Sequence, residues 1–279
     1  MLIVVSPAKS LDYESPLPTR KFTEPMFLDR SEELIAIMRT RTTRQIETLM
    51  SISPTLAQLN HDRYHDWQLP FTPKTARPAL LAFNGDVYDG MKARSTFSTA
   101  DFTHAQKTFR ILSGLYGVLR PLDLMMPYRL EMGTRLKNDR GSDLYAYWGD
   151  VITDALRTDL LASPGQKVLI NLASTEYFSS VRPAKLGAPV VSPVFLDESR
   201  DGSYKIVSFF AKKARGVMSA WLIRERISKV KAIQDFVGSG YRFDSARSSE
   251  SRPAFIRSAK IAATEVQTIQ TQPTPNTDK

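Results

Sequence analysis

Apolar residues along the chain occur in two patterns, short continuous runs and stripes with helical spacing. The first run, Leu2–Val5, is rich in β-branched residues and ends at polar positions, which is typical of a buried strand. Runs of the same character predict strands at 2–5, 79–83, 168–172, 190–196 and 204–210. The apolar run 111–118 is broken by Gly114 and Gly117, which predicts a strand followed by a tight turn.

Helices are predicted between these runs, where a capping residue precedes an apolar stripe. Such starts are predicted at Asp29, Thr42, Ser53, Ser98 and Ser142, and a last helix is predicted over 211–227. The alternation of strands and helices predicts an α/β (mixed α+β) fold, a single domain with a central mixed sheet flanked by helices.

The composition changes near residue 245. The chain becomes rich in Ser and Arg there, and it ends in a stretch dominated by Thr, Gln, Pro and Asn. A segment of this kind cannot bury enough apolar surface to offset the entropy lost on ordering. The sequence therefore predicts one folded domain over 1–244 and a polar, disordered tail over 245–279.

The net charge adds a functional expectation. The 279 residues include 38 Lys and Arg against 29 Asp and Glu, a formal net charge of +9. Segment 205–231 holds eight basic residues and one acidic residue, so most of the excess lies there. We expect a basic cleft for a polyanion, with nucleic acid as the leading candidate. A solvated basic surface is the alternative.

The densest cluster of cations is Lys212, Lys213 and Arg215, directly after the predicted strand 204–210. The pattern places them in the first turn of the next helix. The helix dipole disfavours cations there unless an anion is bound between them and the free N–H groups. The cluster therefore predicts an anion site, and a solvated helix face is the alternative.

Polar residues also follow the predicted strands. Lys9 and Asp12 come after the first strand, and Arg129 and Glu131 share one face of the alternating stretch 128–133. Ligands of open α/β sheets bind at the carboxyl ends of the strands, where neighbouring carboxylates and cations can act as acid/base pairs. We take Lys9, Asp12 and Glu131 as candidate catalytic residues, with ordinary surface ion pairs as the alternative.

A glycine-containing stretch offers another anion site. Gly114 and Gly117 permit a sharp turn and a close backbone approach to a ligand, and Arg120 is within reach of a phosphate. Between two helices this turn would resemble a helix-hairpin-helix phosphate clamp, although Pro121 falls too early in the second helix. A structural turn is the alternative.

Several kinds of site are excluded or disfavoured. With no cysteine in the chain, disulfides, thiolate nucleophiles and cysteine-ligated metals are excluded. His61 and His65 have helical i, i+4 spacing but lack a third ligand, so we expect no metal and no cofactor. No apolar run reaches the roughly 18 residues of a membrane helix, which predicts a cytoplasmic protein. The oligomeric state is not fixed by the sequence, and a monomer is slightly favoured.

Six stretches together resemble the bacterial YaaA family of peroxide stress response proteins. The resemblance runs in order from Met1 to about Asp244. Its motifs are Ser6-Pro7-Ala8-Lys9-x-Leu11-Asp12, Gly85-Asp86-Val87-Tyr88, the stretch 112–123 (LSGLYGVLRPLD), 127–133 (PYRLEMG), Asn171-Leu172-Ala173-Ser174-x-Glu176-Tyr177 and 211–216 (AKKARG).

The resemblance implies a cytosolic protein that limits oxidative damage to DNA and proteins and is linked to control of free intracellular iron. It also implies DNA binding through a basic cleft and a helix-hairpin-helix-like element. The DNA or anion contacts expected on this basis are Lys9, Gly114, Gly117, Arg120, Arg129, Lys212, Lys213 and Arg215.

Two functional hypotheses remain open at this point. The first is a protein of the peroxide stress response that binds DNA without sequence specificity. The second is an enzyme that acts on a nucleobase, a nucleotide or another anionic small molecule in a strand-end pocket lined by Lys9, Asp12 and Glu131. Direct iron binding is disfavoured because histidine is scarce and cysteine is absent.

Overall fold

The computed structural model describes residues 1–262. Its helices are α1 (Leu28–Arg39), α2 (Thr43–Met50), α3 (Pro54–Asp66), α4 (Ala79–Ala82), α5 (Asp86–Met91), α6 (Ala93–Thr96), α7 (Thr99–Thr108), α8 (Leu144–Trp148), α9 (Val151–Ala162), α10 (Thr175–Phe178), α11 (Pro183–Leu186) and α12 (Ser208–Arg224), and a 3₁₀ turn spans Val230–Asp235.

The strands are β1 (Leu2–Val5), β2 (Ser10–Leu11), β3 (Arg77–Pro78), β4 (Phe83–Asn84), β5 (Phe109–Ser113), β6 (Gly117–Leu119), β7 (Leu124–Met125), β8 (Leu169–Asn171), β9 (Val190–Val191), β10 (Val194–Glu198), β11 (Tyr204–Lys205), β12 (Arg242–Ser249) and β13 (Arg252–Arg257).

The central sheet has the order β6-β5-β1-β8-β9, and only β6 runs antiparallel to its neighbour. Strand β1 lies in the middle, with Ile3 opposite Phe109 on one side and Ile170 on the other. Every residue of β1 is buried, which explains its continuous apolar run, because a parallel strand is covered on both faces. The predicted α/β fold with a central mixed sheet flanked by helices is confirmed.

A second sheet, β11-β10-β13-β12, packs around its own aromatic core. Phe195 stacks on Phe255 at 5.6 Å, and Phe236 and Tyr241 meet Phe195 edge-on. Helix α12 contacts both β10 and α7, and α7 in turn contacts β1 of the central sheet. This helix therefore joins the two sheets.

The second sheet corrects the predicted domain boundary. Strands β12 and β13 extend from residue 242 to 257, and β13 pairs in parallel with β10. The tail predicted from residue 245 is therefore wrong for 245–257, because Ser- and Arg-rich strands are stabilised here by pairing with distant partners. The rest of that predicted tail, from residue 263 onward, lies outside the described residues.

Several predictions about local structure are also wrong. Helix α1 begins at Leu28 without a side-chain cap from Asp29, and α8 is capped by Asp143 rather than Ser142. The run 79–83 forms the short helix α4 before β4 begins, since a fully buried apolar run fits either type of element. The run 204–210 is a strand only at Tyr204–Lys205, and α12 begins at Ser208, three residues earlier than predicted. This earlier start changes the environment of every basic residue on α12.

Candidate functional site

A small recess lies at the carboxyl end of β1. The Lys9 Nζ is 3.7 Å from the Glu131 Oε1, and Arg129 donates to the same oxygen from its Nε at 3.0 Å. The Lys9 side chain is 70% exposed, whereas that of Glu131 is 17% exposed. The structure thus brings together three of the predicted site residues, Lys9, Arg129 and Glu131, although 128–131 is irregular backbone rather than the predicted strand.

A third cation, Arg63 of α3, borders this group. Burial lowers the pKa of the Arg63 guanidinium, and the positive charge of Arg129 lowers it further. Tyr64, the next residue of α3, donates a hydrogen bond to the Arg129 carbonyl. We call the group of Lys9 and Arg129 around Glu131 the basic recess. Its two cations exceed its one carboxylate, so it carries a net positive charge, and Arg63 adds positive charge beside Arg129.

Hydrogen bonds between neighbouring strand ends hold the recess in place. The Ser6 Oγ accepts from the Ser174 backbone N–H at 2.8 Å, which ties the end of β1 to the loop after β8. Tyr88 donates to the Ser6 carbonyl at 3.1 Å, and the Gly133 N–H donates to the Glu176 Oε1 at 3.0 Å. The loops that follow the strands therefore meet at one edge of the sheet.

The space inside the recess is small. The cavity that Lys9, Arg129 and Glu131 line measures about 10 Å³, which is enough for about one water molecule. The recess can therefore bind an anion at the protein surface through its charged side chains, but it is too small to enclose a substrate.

Asp12 lies apart from this group. Its carboxylate accepts from the Arg94 Nη2 at 2.7 Å and from the N–H groups of Glu14 and Ser15 at 3.0 and 2.9 Å. Burial on its own would raise the pKa of Asp12, but the hydrogen bonds from Ser15 and Glu14 and the charge of Arg94 outweigh it and lower that pKa. The structure does not bring Asp12 together with Lys9 and Glu131.

Asp12 instead borders a much larger cavity of about 740 Å³. Its polar lining comprises Asp12, Asn84, Asp86, Asp89, Lys92, Arg94, Ser95 and Lys213. Its apolar lining includes Leu80, Leu81, Phe83, Met91 and Phe209. Contacts among Phe83, Tyr88 and Tyr128 separate this cavity from the recess. Sequence reasoning missed Asn84, Asp89, Lys92 and Phe209, although Asp86 and Tyr88 stand in a quoted motif.

Close packing of α5 against α12 forms one wall of the cavity. A Cβ atom at Gly90 would lie 2.1 Å from the Lys213 carbonyl, and one at Gly216 would lie 1.8 Å from the Val87 carbonyl. These distances leave no room for a side chain, so both glycines are required for the two helix backbones to touch. The side chains beside the crossing, including Asp86 and Lys213, are thereby fixed around the cavity.

The basic residues of α12 do not occupy the predicted position. Because the helix begins at Ser208, Lys212 is its fifth residue, and the argument from the helix dipole to an anion between these cations and the first N–H groups is wrong. Lys212 is exposed and lies 3.6 Å from Asp86. Lys213 lines the large cavity, while Arg215 is half-buried and burial lowers its pKa.

The glycine-containing stretch 112–123 is also corrected. It forms a β-hairpin of β5 and β6 rather than a helix-hairpin-helix. Gly114 and Gly117 are buried, the first against the Leu130 carbonyl and the second, at φ +67°, against the Trp148 ring. Packing explains both glycines. Arg120 is held by Asp123, 3.0 Å away, and by the Glu24 carbonyl.

A helical hairpin does occur elsewhere, at α2 and α3. The Thr42 side chain and Gln45 form a capping box at the start of α2, and Ser53 caps α3 ahead of Pro54. Ser51, in the left-handed region at φ 50°, ends α2 and reverses the chain. Both helix starts confirm the predictions from the sequence. The residues at the tip, 51 and 53–56, are exposed.

His61 and His65 lie one turn apart on α3. His65 Nδ1 lies 2.9 Å from the His61 carbonyl, and the two rings are 4.3 Å apart. Within residues 1–262 no three His, Asp or Glu side chains are grouped so that they could hold a metal ion. In the same range no helix combines the length and the apolar character that crossing a bilayer needs.

The chain matches a known protein family. The family described as peroxide stress protein YaaA matches residues 1–247. This match confirms the resemblance that the six motifs indicated. It ends within β12, so the matched region reaches into the second sheet.

Proposed function

The chain belongs to the peroxide stress protein YaaA family, which gives it a role in the peroxide stress response, and we propose that it acts there by binding DNA. The observation that carries the proposal is the basic recess, where Lys9 and Arg129 flank the carboxylate of Glu131 and Arg63 lies beside Arg129. Such excess positive charge at a surface attracts phosphate, and phosphate contacts carry no sequence information. The proposed binding is therefore independent of sequence.

The helical hairpin supports the same proposal. Its second helix, α3, ends beside the recess, where Tyr64 is hydrogen-bonded to Arg129. Its tip exposes the first turn of α3, where the Thr55 N–H can donate to a phosphate, since Pro54 has no N–H and the Leu56 N–H donates to Ser53. Over its 13 residues α3 is about 20 Å long, so one duplex can contact both ends of it. Lys212 extends the basic surface in this proposal, whereas Lys213 lines the large cavity.

DNA affinity measured against salt concentration tests the proposal. For a duplex, log K falls with log salt with a slope of about 0.9 per phosphate contact. The double variant Lys9→Gln, Arg129→Gln should bind more weakly and show a slope smaller by about 1 to 2. A matched control, Arg157→Gln with Lys185→Gln, removes two exposed cations on α9 and α11.

The control should keep the wild-type slope. If the double variant at the recess also keeps the wild-type affinity and slope, the recess is not the DNA contact. If neither variant nor the wild-type protein binds duplex DNA at low salt, the proposed function itself is wrong. The links to free iron and to the cytoplasm that the family resemblance implies stay predictions.

A second candidate function is an enzyme acting on a nucleobase, a nucleotide or another anionic small molecule. The cavity of about 740 Å³ favours it, because a surface that only binds DNA does not need a cavity of that size. Incubation with mononucleotides and with DNA, followed by mass spectrometry of the products, tests it. Turnover that Asp89→Asn abolishes would support catalysis in the cavity, and the absence of any product would exclude these substrates.

A further inference from the structure

The charged groups that line the large cavity differ in how far they are already paired. Asp12 and Arg94 bind each other, and Arg94 also donates to the Leu81 carbonyl. Asp86 lies 3.6 Å from Lys212, which stands outside the lining. Within the described part of the chain, Asp89, Lys92 and Lys213 have no ion pair. The unpaired charge that faces the cavity is therefore two ammonium groups and one carboxylate.

An aromatic ring stands beside one of these ammonium groups. Phe209 is 46% exposed although it is a large apolar residue, and it lines the cavity. It precedes Lys213 by four residues on α12, so the two side chains lie on the same face of the helix, one turn apart. Phe210 meets the Phe209 ring edge-on, which leaves a face of the ring uncovered by it.

Helix α5, which packs against α12 in the same wall, supplies hydrogen-bonding groups. Asp86 and Asp89 lie one turn apart on α5, and Asn84 precedes them with a side chain that makes no hydrogen bond within residues 1–262. The crossing at Gly90 and Gly216 holds α5 at a fixed distance from α12. The lining of the cavity thus combines an aromatic face, an amide, carboxylate oxygens and two free cations.

We propose that this cavity binds one unpaired nucleotide, with its base stacked on Phe209 and its phosphate at Lys213 and Lys92. Asp86, Asp89 and Asn84 offer oxygens that accept hydrogen bonds from the exocyclic amino group of the base. A nucleotide fits because it joins a flat ring, an edge with N–H donors and an anion in one molecule. The volume of about 740 Å³ lies within the roughly 300–1,000 Å³ typical of small-molecule sites.

The nucleotide can come from two sources, a free mononucleotide or an unpaired position in a DNA strand. The second source rests on the proposed DNA binding and deepens it, since the cavity and the basic recess are separated only by Phe83, Tyr88 and Tyr128. The first source does not depend on DNA binding. The two are distinguished by measuring dAMP binding by calorimetry and, separately, the affinity for a duplex with one bulged nucleotide relative to a fully paired duplex.

The variants are Phe209→Ala, Phe209→Trp and Lys213→Gln. The matched control is Phe22→Ala, because Phe22 has nearly the same exposure, 48%, and lines a different groove. Stacking of one base is worth roughly ten-fold in affinity, so Phe209→Ala should weaken dAMP or bulge binding by about that factor, and Phe209→Trp should restore it. Lys213→Gln should weaken the same binding, while Phe22→Ala should leave it unchanged.

The outcomes separate this inference from the proposed DNA function. Loss of dAMP binding in Phe209→Ala supports a free nucleotide, and loss of the bulge preference alone supports a nucleotide in DNA. If Phe209→Ala and Phe22→Ala behave alike in both measurements, or if the wild-type protein shows neither dAMP binding nor a bulge preference, the nucleotide site is overturned. Phe209→Ala and the wild-type protein should bind the fully paired duplex with the same affinity. If the wild-type protein does not bind that duplex, the result counts against the proposed DNA binding and not against the free-nucleotide site. Thermal melting of each variant verifies folding.

Discussion

Replacement of Asp12 by alanine should destabilise the fold by about 3 kcal/mol. The Asp12 side chain is 19% exposed, and it neutralises Arg94 and Arg77, which are themselves 31% and 14% exposed. Loss of one partner from a buried ion pair costs about 3–5 kcal/mol, and partial exposure reduces that figure here. The partly buried Ser15 N–H adds up to about 1 kcal/mol when it loses its acceptor, whereas the exposed Glu14 N–H can donate to water instead.

Urea denaturation of Asp12→Ala, Asp12→Asn and the neighbouring surface control Glu14→Ala measures this effect. Asparagine keeps an oxygen for the two N–H groups, so Asp12→Asn should lose less stability than Asp12→Ala, about 1–2 kcal/mol. Glu14→Ala should stay within about 0.5 kcal/mol of wild type. If Asp12→Ala is as stable as Glu14→Ala, the ion-pair network does not support the fold and the reasoning is refuted.

The stability difference between wild type and Asp12→Asn should depend on pH. The folded-state pKa of Asp12 is lowered, so its carboxylate stabilises the fold above the ordinary value of 3.8 and loses this contribution as the pH falls through the folded-state pKa. The difference in unfolding free energy between wild type and Asp12→Asn should therefore be constant near neutral pH and shrink below pH 3.8. Unchanged DNA affinity per folded molecule would assign Asp12 to structure, whereas lost affinity would assign it to the site.

Three further predictions concern local features of the fold. Gly216→Ala places a methyl group against the Val87 carbonyl and should cost about 2 kcal/mol in urea denaturation; wild-type stability would show that the helix crossing can relax. Burial and the charge of Arg226 lower the pKa of His104, so the unfolded chain binds more protons than the folded protein just below pH 6.5, and stability should rise with pH up to that value. His104→Gln should flatten this rise between pH 5 and pH 7.5, and an unchanged slope would assign it to other groups. Ser53→Ala removes the cap of α3 and should cost about 1 kcal/mol, measured in the same way; no loss would mean that Pro54 alone fixes the helix start.

Predictions from the sequence succeeded where the determining interactions are local. The starts of α2 and α3 follow from the side chains of Thr42 and Ser53, which bind backbone groups three residues away. The central strand was recognisable because β1 is buried on both faces and its apolar run is continuous. The proximity of Lys9 and Glu131 was predictable because ligand sites of α/β sheets lie at the carboxyl ends of the strands.

The second sheet could not be predicted in the same way. Its parallel pair joins β10 to β13, with Phe195 opposite Phe255, and no pattern within either strand indicates a partner 60 residues away. Phe209 was missed for a related reason. The strand predicted over 204–210 would bury Phe209 within an apolar run. In the structure α12 begins at Ser208, and the Phe209 ring is exposed beside the cavity.

The cations of α12 show how a cluster in sequence can be divided in space. Successive residues of a helix are about 100° apart, so the side chain of Lys213 points roughly 160° away from that of Arg215. Lys212 is exposed beside Asp86, Lys213 lines the cavity, and Arg215 is half-buried. Three adjacent charges therefore have three different surroundings.

Single substitutions of these residues should accordingly have three different effects. Lys212→Gln should reduce the salt slope of duplex binding by about 1, as expected for one phosphate contact. Lys213→Gln should weaken nucleotide binding and leave that slope nearly unchanged. Arg215→Gln should mainly alter stability in urea, because the half-buried Arg215 side chain packs against its surroundings through its aliphatic stem. The salt slope of the triple variant should therefore equal that of Lys212→Gln. If instead each single variant lowers the slope by the same amount, the division is contradicted, because all three side chains would then contact phosphates.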